Sequence, residues 1–173
     1  MRAVKQQVRS VPAGASAPQL RATDADDVPI LVSLAEGTLV FTPQEIVGLQ
    51  EDLESCLSGN DPLDHLLTLE HAGHVVGFAQ FGPAEITQGT WYLYWIAVDR
   101  QSHGHGYGAQ ILRRVEDEVR GREGRLLLIE TSTLPRYEAT RVFYERAGYT
   151  RECIIRDYYS EGDDKVIFSK RMV

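Results

Sequence analysis

Two cysteines, two methionines and two tryptophans are all that this 173-residue chain holds of those types. Cys56 and Cys153 lie far apart and belong to no ligand-spaced cluster, which argues against a disulfide scaffold or a cysteine-based metal module. They read as free thiols in a reducing, cytoplasmic setting. Long apolar runs are also missing. No window approaches the roughly 20 residues of a membrane span, and no apolar stretch follows the basic residues at the start as a signal peptide requires. No membrane partner is expected. Basic residues are in deficit as well: 18 Lys plus Arg stand against 25 Asp plus Glu, a net charge of -7. Nucleic-acid binding needs a basic footprint, so no nucleic-acid partner is expected, while a negative field favours cationic partners weakly. What remains is ordinary for a globular protein, with 43% hydrophobic and 25% charged residues.

Residues 1–17 contain Arg2, Lys5, Arg9 and a Pro/Gly/Ala/Ser stretch, and are expected to form a flexible tail before a domain spanning 18–173. Gln19 to Thr23 is a short strand candidate, and the acidic run from Asp24 with Pro29 opens a helix that Gly37 can end. A second helix begins where Thr42, Pro43 and Glu45 stand at capping-box spacing, and Gly59-Asn60-Asp61-Pro62 closes it. His65 to Glu70 and Val75 to Phe81 flank Ala72-Gly73 as a hairpin does, and Trp91 to Val98 makes a third strand. Gly108 to Arg120 reads as a helix, Leu126 to Thr131 as a strand and Pro135 to Ala147 as a helix. Thr150 to Tyr158 and Lys165 to Lys170 form the terminal strands. The order β-α-α-β-β-β-α-β-α-β-β gives an α/β (α+β) class: a single mixed, mostly antiparallel sheet flanked by helices on both faces.

The segment WYLYWIAVDRQSHGHGYGAQIL, Trp91 to Leu112, carries the chemistry. An apolar strand ends at Val98, and Gly104, Gly106 and Gly108 alternate just before an amphipathic helix. Such glycines let backbone N–H groups converge on an anion, and the helix start adds free donors and a positive dipole end. The same spacing also serves a tight turn with no ligand. No Gly-Lys-Ser/Thr ending follows, which disfavours a P-loop, and the glycine spacing departs from the dinucleotide fingerprint.

At this point the sequence resembles the GNAT superfamily of acyl-CoA-dependent N-acetyltransferases. The family signature, Arg or Gln, two residues, Gly, one residue, then Gly or Ala, matches His103-Gly104-His105-Gly106-Tyr107-Gly108, with His103 replacing the usual residue. Some thirty-five residues on, Ala139 to Tyr149, ATRVFYERAGY, is similar to the family's tyrosine-bearing helix. The resemblance implies the acyl-CoA N-acyltransferase fold, acetyl-CoA as cofactor with coenzyme A as product, and no metal. It implies that the strand before the loop parts from its neighbour, so that Ile96, Ala97 and Val98 meet the pantetheine arm and one N–H polarises the thioester carbonyl. N–H groups from Gly104 to Ala109 would hold the pyrophosphate, taking in His105, Gly106, Tyr107 and Gly108. Tyr144 matches the general acid that protonates the departing thiolate. Tyr137 stands where the family often has an asparagine on the pantetheine, which puts that contact in question.

For the general base, Glu130 at a strand end is the leading candidate, beside Tyr92, Tyr94 and Asp157, with a water relay as the alternative. Strand alternation divides the aromatic ladder into Trp91/Trp95 on one face and Tyr92/Tyr94 on the other. Tyr92, Tyr94, Asp157 and Tyr158 are the candidate acceptor-binding residues. The expected activity is acetyl transfer to a primary amine of a small molecule or amino acid, by direct attack in a ternary complex. The alternatives are an acyl-CoA-binding sensor or interaction module without turnover, or a protein or peptide N-acetyltransferase. A homodimer stays open.

Overall fold

The structure is a computed structural model that describes residues 17–60 and 64–172. The expected N-terminal tail, apart from residue 17, and Asp61-Pro62 of the helix-closing signal lie outside the described residues. Seven strands form one sheet in the order β1-β2-β3-β4-β5-β7-β6. They are β1 (Gln19–Ala22), β2 (His65–His71), β3 (His74–Pro83), β4 (Thr90–Val98), β5 (Leu126–Ser132), β6 (Thr150–Ser160) and β7 (Asp163–Arg171). All neighbours are antiparallel except β4 and β5, so the mixed, mostly antiparallel sheet is as expected.

Four helices cover the two faces: α1 (Val28–Gly37), α2 (Pro43–Ser58), α3 (Tyr107–Gly121) and α4 (Glu138–Arg146). Leu31, Leu34, Leu49 and Leu53 of α1 and α2 pack on Phe78 and Leu66 on one face. Ile111, Leu112, Val115 and Val119 of α3 pack with Tyr144, Leu127 and Phe168 on the other. At α2 the capping box forms as its spacing predicts. The Thr42 hydroxyl accepts from Glu45 N–H, Glu45 Oε2 accepts from Thr42 N–H at 2.7 Å, and Gly59 ends the helix at φ +79°. The helix predicted from Pro135 starts as a single 3-10 turn, Pro135–Tyr137, before α4 proper.

Near β1, Arg21 reaches the buried carboxylate of Asp27 through two hydrogen bonds, at 2.6 and 2.9 Å. That guanidinium holds the Asp27 carboxyl below its usual range, against the opposing effect of burial.

Candidate active site

The site begins with a break in the sheet. The β4–β5 pairing runs from Thr90 with Leu126 to Leu93 with Ile129 and stops there. On its other side β4 stays paired with β3 as far as Val98, but the register jumps: Phe81 faces Leu93 while Gln80 faces Trp95, leaving Tyr94 as an extra residue. Such a bulge bends its strand and inverts which side chains face which way. The expected grouping of Trp91 with Trp95 on one face is therefore corrected. Trp91 packs in the α3-side core, whereas Trp95 packs against the α1–α2 core, 5.6 Å from Phe41. Tyr92 and Tyr94 do stack on each other, at 5.9 Å. Beyond the bulge, Asp99 N–H donates to Val76 on β3, so by alternation the N–H and C=O of Val98 and Ile96 point into the opening. Those of Ala97 point to β3, and its side chain is buried.

The opening leads to the glycine turn. Gly104 and Gly106 both sit at φ +81°, a conformation that favours glycine, and a Cβ on either would meet nothing within 4 Å. The turn is thus a bare backbone surface, exposed from His103 to Gly106, that runs into the first turn of α3. There the N–H groups of Tyr107, Gly108 and Ala109 have no partner within the helix. His103 folds back so that Nε2 donates to the Val98 carbonyl at 2.9 Å. His105 Nδ1 faces the carbonyls of Ser102 and His103, at 3.1 and 3.2 Å, and its ring stacks on Tyr107. The Tyr107 side chain is buried and bonded to His71 Nδ1 at 2.7 Å, so only its backbone faces the turn.

Between the parted strands lies a cleft of about 480 Å³ that brings together Tyr92, Tyr94, Ile96, Glu130, Tyr137 and Tyr144. Tyr144 is 3% exposed, its ring set among Phe143, Tyr149 and Phe168, and burial pushes its pKa well above the ordinary phenol value. Among the described residues its hydroxyl has no hydrogen-bond partner. Tyr137 donates to Glu45 Oε1 at 2.7 Å; burial and that carboxylate both raise its pKa. Glu130, about a third exposed, pairs with the buried Lys165 ammonium at 2.5 Å.

Two expected acceptor residues stand elsewhere. Asp157 is at φ +50°, where its carboxylate accepts from Gly162 N–H at 2.7 Å and closes the β6–β7 turn. Tyr158 lies under the Lys165 ammonium, 3.5 Å from the ring centre. Neither lines the cleft; a register break between Ile155 and Ser160 turns Tyr159 into it instead. Sequence reading also missed Glu45, Asp52 and Phe41. Glu45 was recognisable only as a cap, yet one carboxylate oxygen caps α2 while the other holds Tyr137. Asp52 follows it at two-turn spacing and accepts from Trp95 Nε1 at 2.8 Å. That spacing of two carboxylates along one helix face was the available signal.

A mixed sheet opened beside a glycine turn that runs into a helix is the fold of the GNAT acetyltransferases. The family model described as the acetyltransferase (GNAT) domain matches residues 62–151, and the chain belongs to that family. A protein assigned to the GNAT family from Desulfovibrio desulfuricans is 35% identical, with TM-score 0.85, covering 91% of this chain and all of that one. YncA of Salmonella typhimurium, solved with its cofactor acetyl-CoA, shares the fold at 17% identity and TM-score 0.74 over 91% of this chain and 95% of that one. The ribosomal-protein-S18-alanine N-acetyltransferase of Escherichia coli does so at 19% and 0.72, over 90% and 94%. No curated protein sequence matches the chain. Among the described residues no helix is long and apolar enough to cross a membrane.

Proposed function

We propose that the chain is an acetyl-CoA-dependent N-acetyltransferase whose acceptor is a small cationic amine without a carboxylate, acetylated by direct attack in a ternary complex. One observation carries the acceptor class. Every charged side chain lining the cleft is a carboxylate (Glu45, Asp52, Glu130), and seven of the sixteen lining residues are aromatic. Carboxylates attract an ammonium group, and aromatic faces add cation–π attraction and flat apolar contact. An amino acid would bring its own carboxylate against the same charges.

Bound acetyl-CoA would supply an acetyl group already activated as a thioester. The N–H donors at Gly104, Gly106, Gly108 and Ala109 suit its phosphates, and the free edge at Ile96 and Val98 suits its amide-bearing arm. Tyr144, kept protonated by burial, is the proton donor for the thiolate. Glu130, held ionised by Lys165, receives the proton of the acceptor ammonium, directly or through water. Tyr137 spends its hydroxyl on Glu45 and acts as a wall of the cleft.

The test is thiol release from acetyl-CoA across amines with and without carboxylates, together with amino acids and peptides. Release with carboxylate-free amines is expected. Turnover of peptides alone would make the acceptor a protein, and coenzyme A binding without release on any acceptor would make the chain a sensor.

A further inference from the structure

We infer that β6 is a self-complementary edge through which two copies of this chain join their sheets, antiparallel, about a two-fold axis at Ile154. The sheet ends on one side in β1, four residues long and too short to template another strand. It ends on the other in β6, eleven residues long and exposed at every one of them. Of nine large hydrophobic side chains exposed among the described residues, four lie on this strand: Ile154, Ile155, Tyr158 and Tyr159. A long open edge will accept many strands, so the sequence must choose the partner.

The choice is written around Ile154, in the run Arg151-Glu152-Cys153-Ile154-Ile155-Arg156-Asp157. In an antiparallel pair centred there, Ile154 meets its own counterpart and Cys153 meets Ile155 of the second copy. Glu152 then meets Arg156, and Arg151 meets Asp157. The two-fold repeats each contact, so an apolar centre is flanked on both sides by opposite charges. Neighbouring registers are penalised. A slip of one residue one way sets Glu152 against Asp157, and the other way sets Arg151 against Arg156. Parallel, in-register pairing would set every charge against itself.

The charged groups can make these contacts. Arg156 has no ion pair or hydrogen bond among the described residues, and Glu152 accepts only the Ser169 hydroxyl. Arg151 is shared with Glu145 at 2.7 Å, both half-exposed, and Asp157 commits one oxygen to Gly162 N–H. Register breaks between Arg151 and Cys153 and between Ile155 and Ser160 bracket the regular run on either side of Ile154, so the joining ladder is short and centred. Tyr159 on the same strand lines the cleft, which sets the second copy beside its outer wall.

Sedimentation velocity over micromolar to submillimolar concentrations tests the inference. The unmodified chain is expected to dimerise, and Arg156→Glu or Glu152→Arg to raise the dimer dissociation constant about tenfold or more. The double variant, which swaps the two charges, should restore it. Both positions are exposed, so unchanged melting temperatures will show that the fold is intact. Register is tested by Ile154→Cys in a chain with Cys56→Ser and Cys153→Ser, which should give a disulfide-linked dimer on oxidation. Cys153 alone should not, because its counterpart would lie beyond the reach of about 7 Å between Cα atoms. A monomer at every concentration, a dimer indifferent to Arg156→Glu, failure of the charge swap to restore it, or crosslinking through Cys153 would each overturn the inference.

Discussion

The two halves of β4 have similar composition and opposite roles. From Thr90 to Leu93 the strand is paired with β3 on one side and β5 on the other, and Trp91 and Leu93 are buried. From Tyr94 to Val98 it keeps only β3, and Tyr94 is exposed. One extra residue separates these regimes. The first half is a structural strand, while the second carries an unpaired backbone edge with the glycine turn at its end. Chemistry gathers where pairing has been withdrawn, because an unpaired edge is a row of donors and acceptors needing a partner.

The comparison breaks most sharply on the open side with Tyr144→Phe. The ring and its packing against Phe143, Tyr149 and Phe168 stay, and only the hydroxyl goes. Turnover should fall about a hundredfold, the typical contribution of a positioned acid, while coenzyme A affinity holds. Steady-state rates set beside calorimetric binding separate the two, and an unchanged rate would remove Tyr144 as the acid.

On the closed side the corresponding probe is Gly124→Ala. A Cβ there would stand 2.3 Å from Val119 Cγ1, 2.8 Å from the Val119 carbonyl and 2.9 Å from Trp91 Cδ1. Overpacking of this kind costs about 1–3 kcal/mol, to be seen as a lowered melting temperature, and the folded protein should bind coenzyme A as before. Loss of affinity without loss of stability would mean that the closed half also serves the cofactor.

The sequence made the repeating parts of this picture legible and left the irregular ones hidden. Strand alternation, the Thr42–Glu45 cap and the helical periodicity of α3 depend on local spacing, and each element lies where its pattern points. Alternation failed at Trp95 and again at Tyr158, both times because one extra residue in a strand inverted the facing of everything after it. No residue type marks such a bulge; it arises from pairing across the sheet. Glu45 and Asp52 escaped for a related reason. They belong to α2 in sequence and to the cleft only once α2 crosses the parted strands.

A smaller effect is expected at the turn that ends the open half. Gly106→Val fills space that holds nothing within 4 Å, so it removes no packing. Its cost is conformational, about 1–2 kcal/mol for a side chain held at φ +81°. Relief of that strain would shift the turn, and coenzyme A affinity should fall about tenfold in a titration. A variant that bound as tightly as the parent would show that this loop is not the phosphate site.

The smallest effect, and the one that tests the far wall of the opening, belongs to Glu130. Lys165 titrates above its ordinary value, because hydrogen bonds to Glu130 and Tyr158 outweigh the burial that opposes its charge. A raised lysine pKa adds stability that is complete below the ordinary lysine value and is lost as pH rises through the folded one. The parent should therefore lose this contribution only in alkaline solution, leaving a flat profile near neutrality. Glu130→Gln removes the counter-charge and leaves burial in control, so the lysine's pKa falls. Stability should then rise with pH where the parent's declines. Thermal unfolding at neutral and alkaline pH reads that reversal of slope, and it would occur whether or not Glu130 takes part in transfer. Turnover reads the other role. A several-fold loss at neutral pH that eases as the acceptor amine deprotonates would place Glu130 on the proton's path, because an acceptor already free of its proton needs no base. A loss of turnover independent of pH would leave Glu130 only the task of anchoring Lys165.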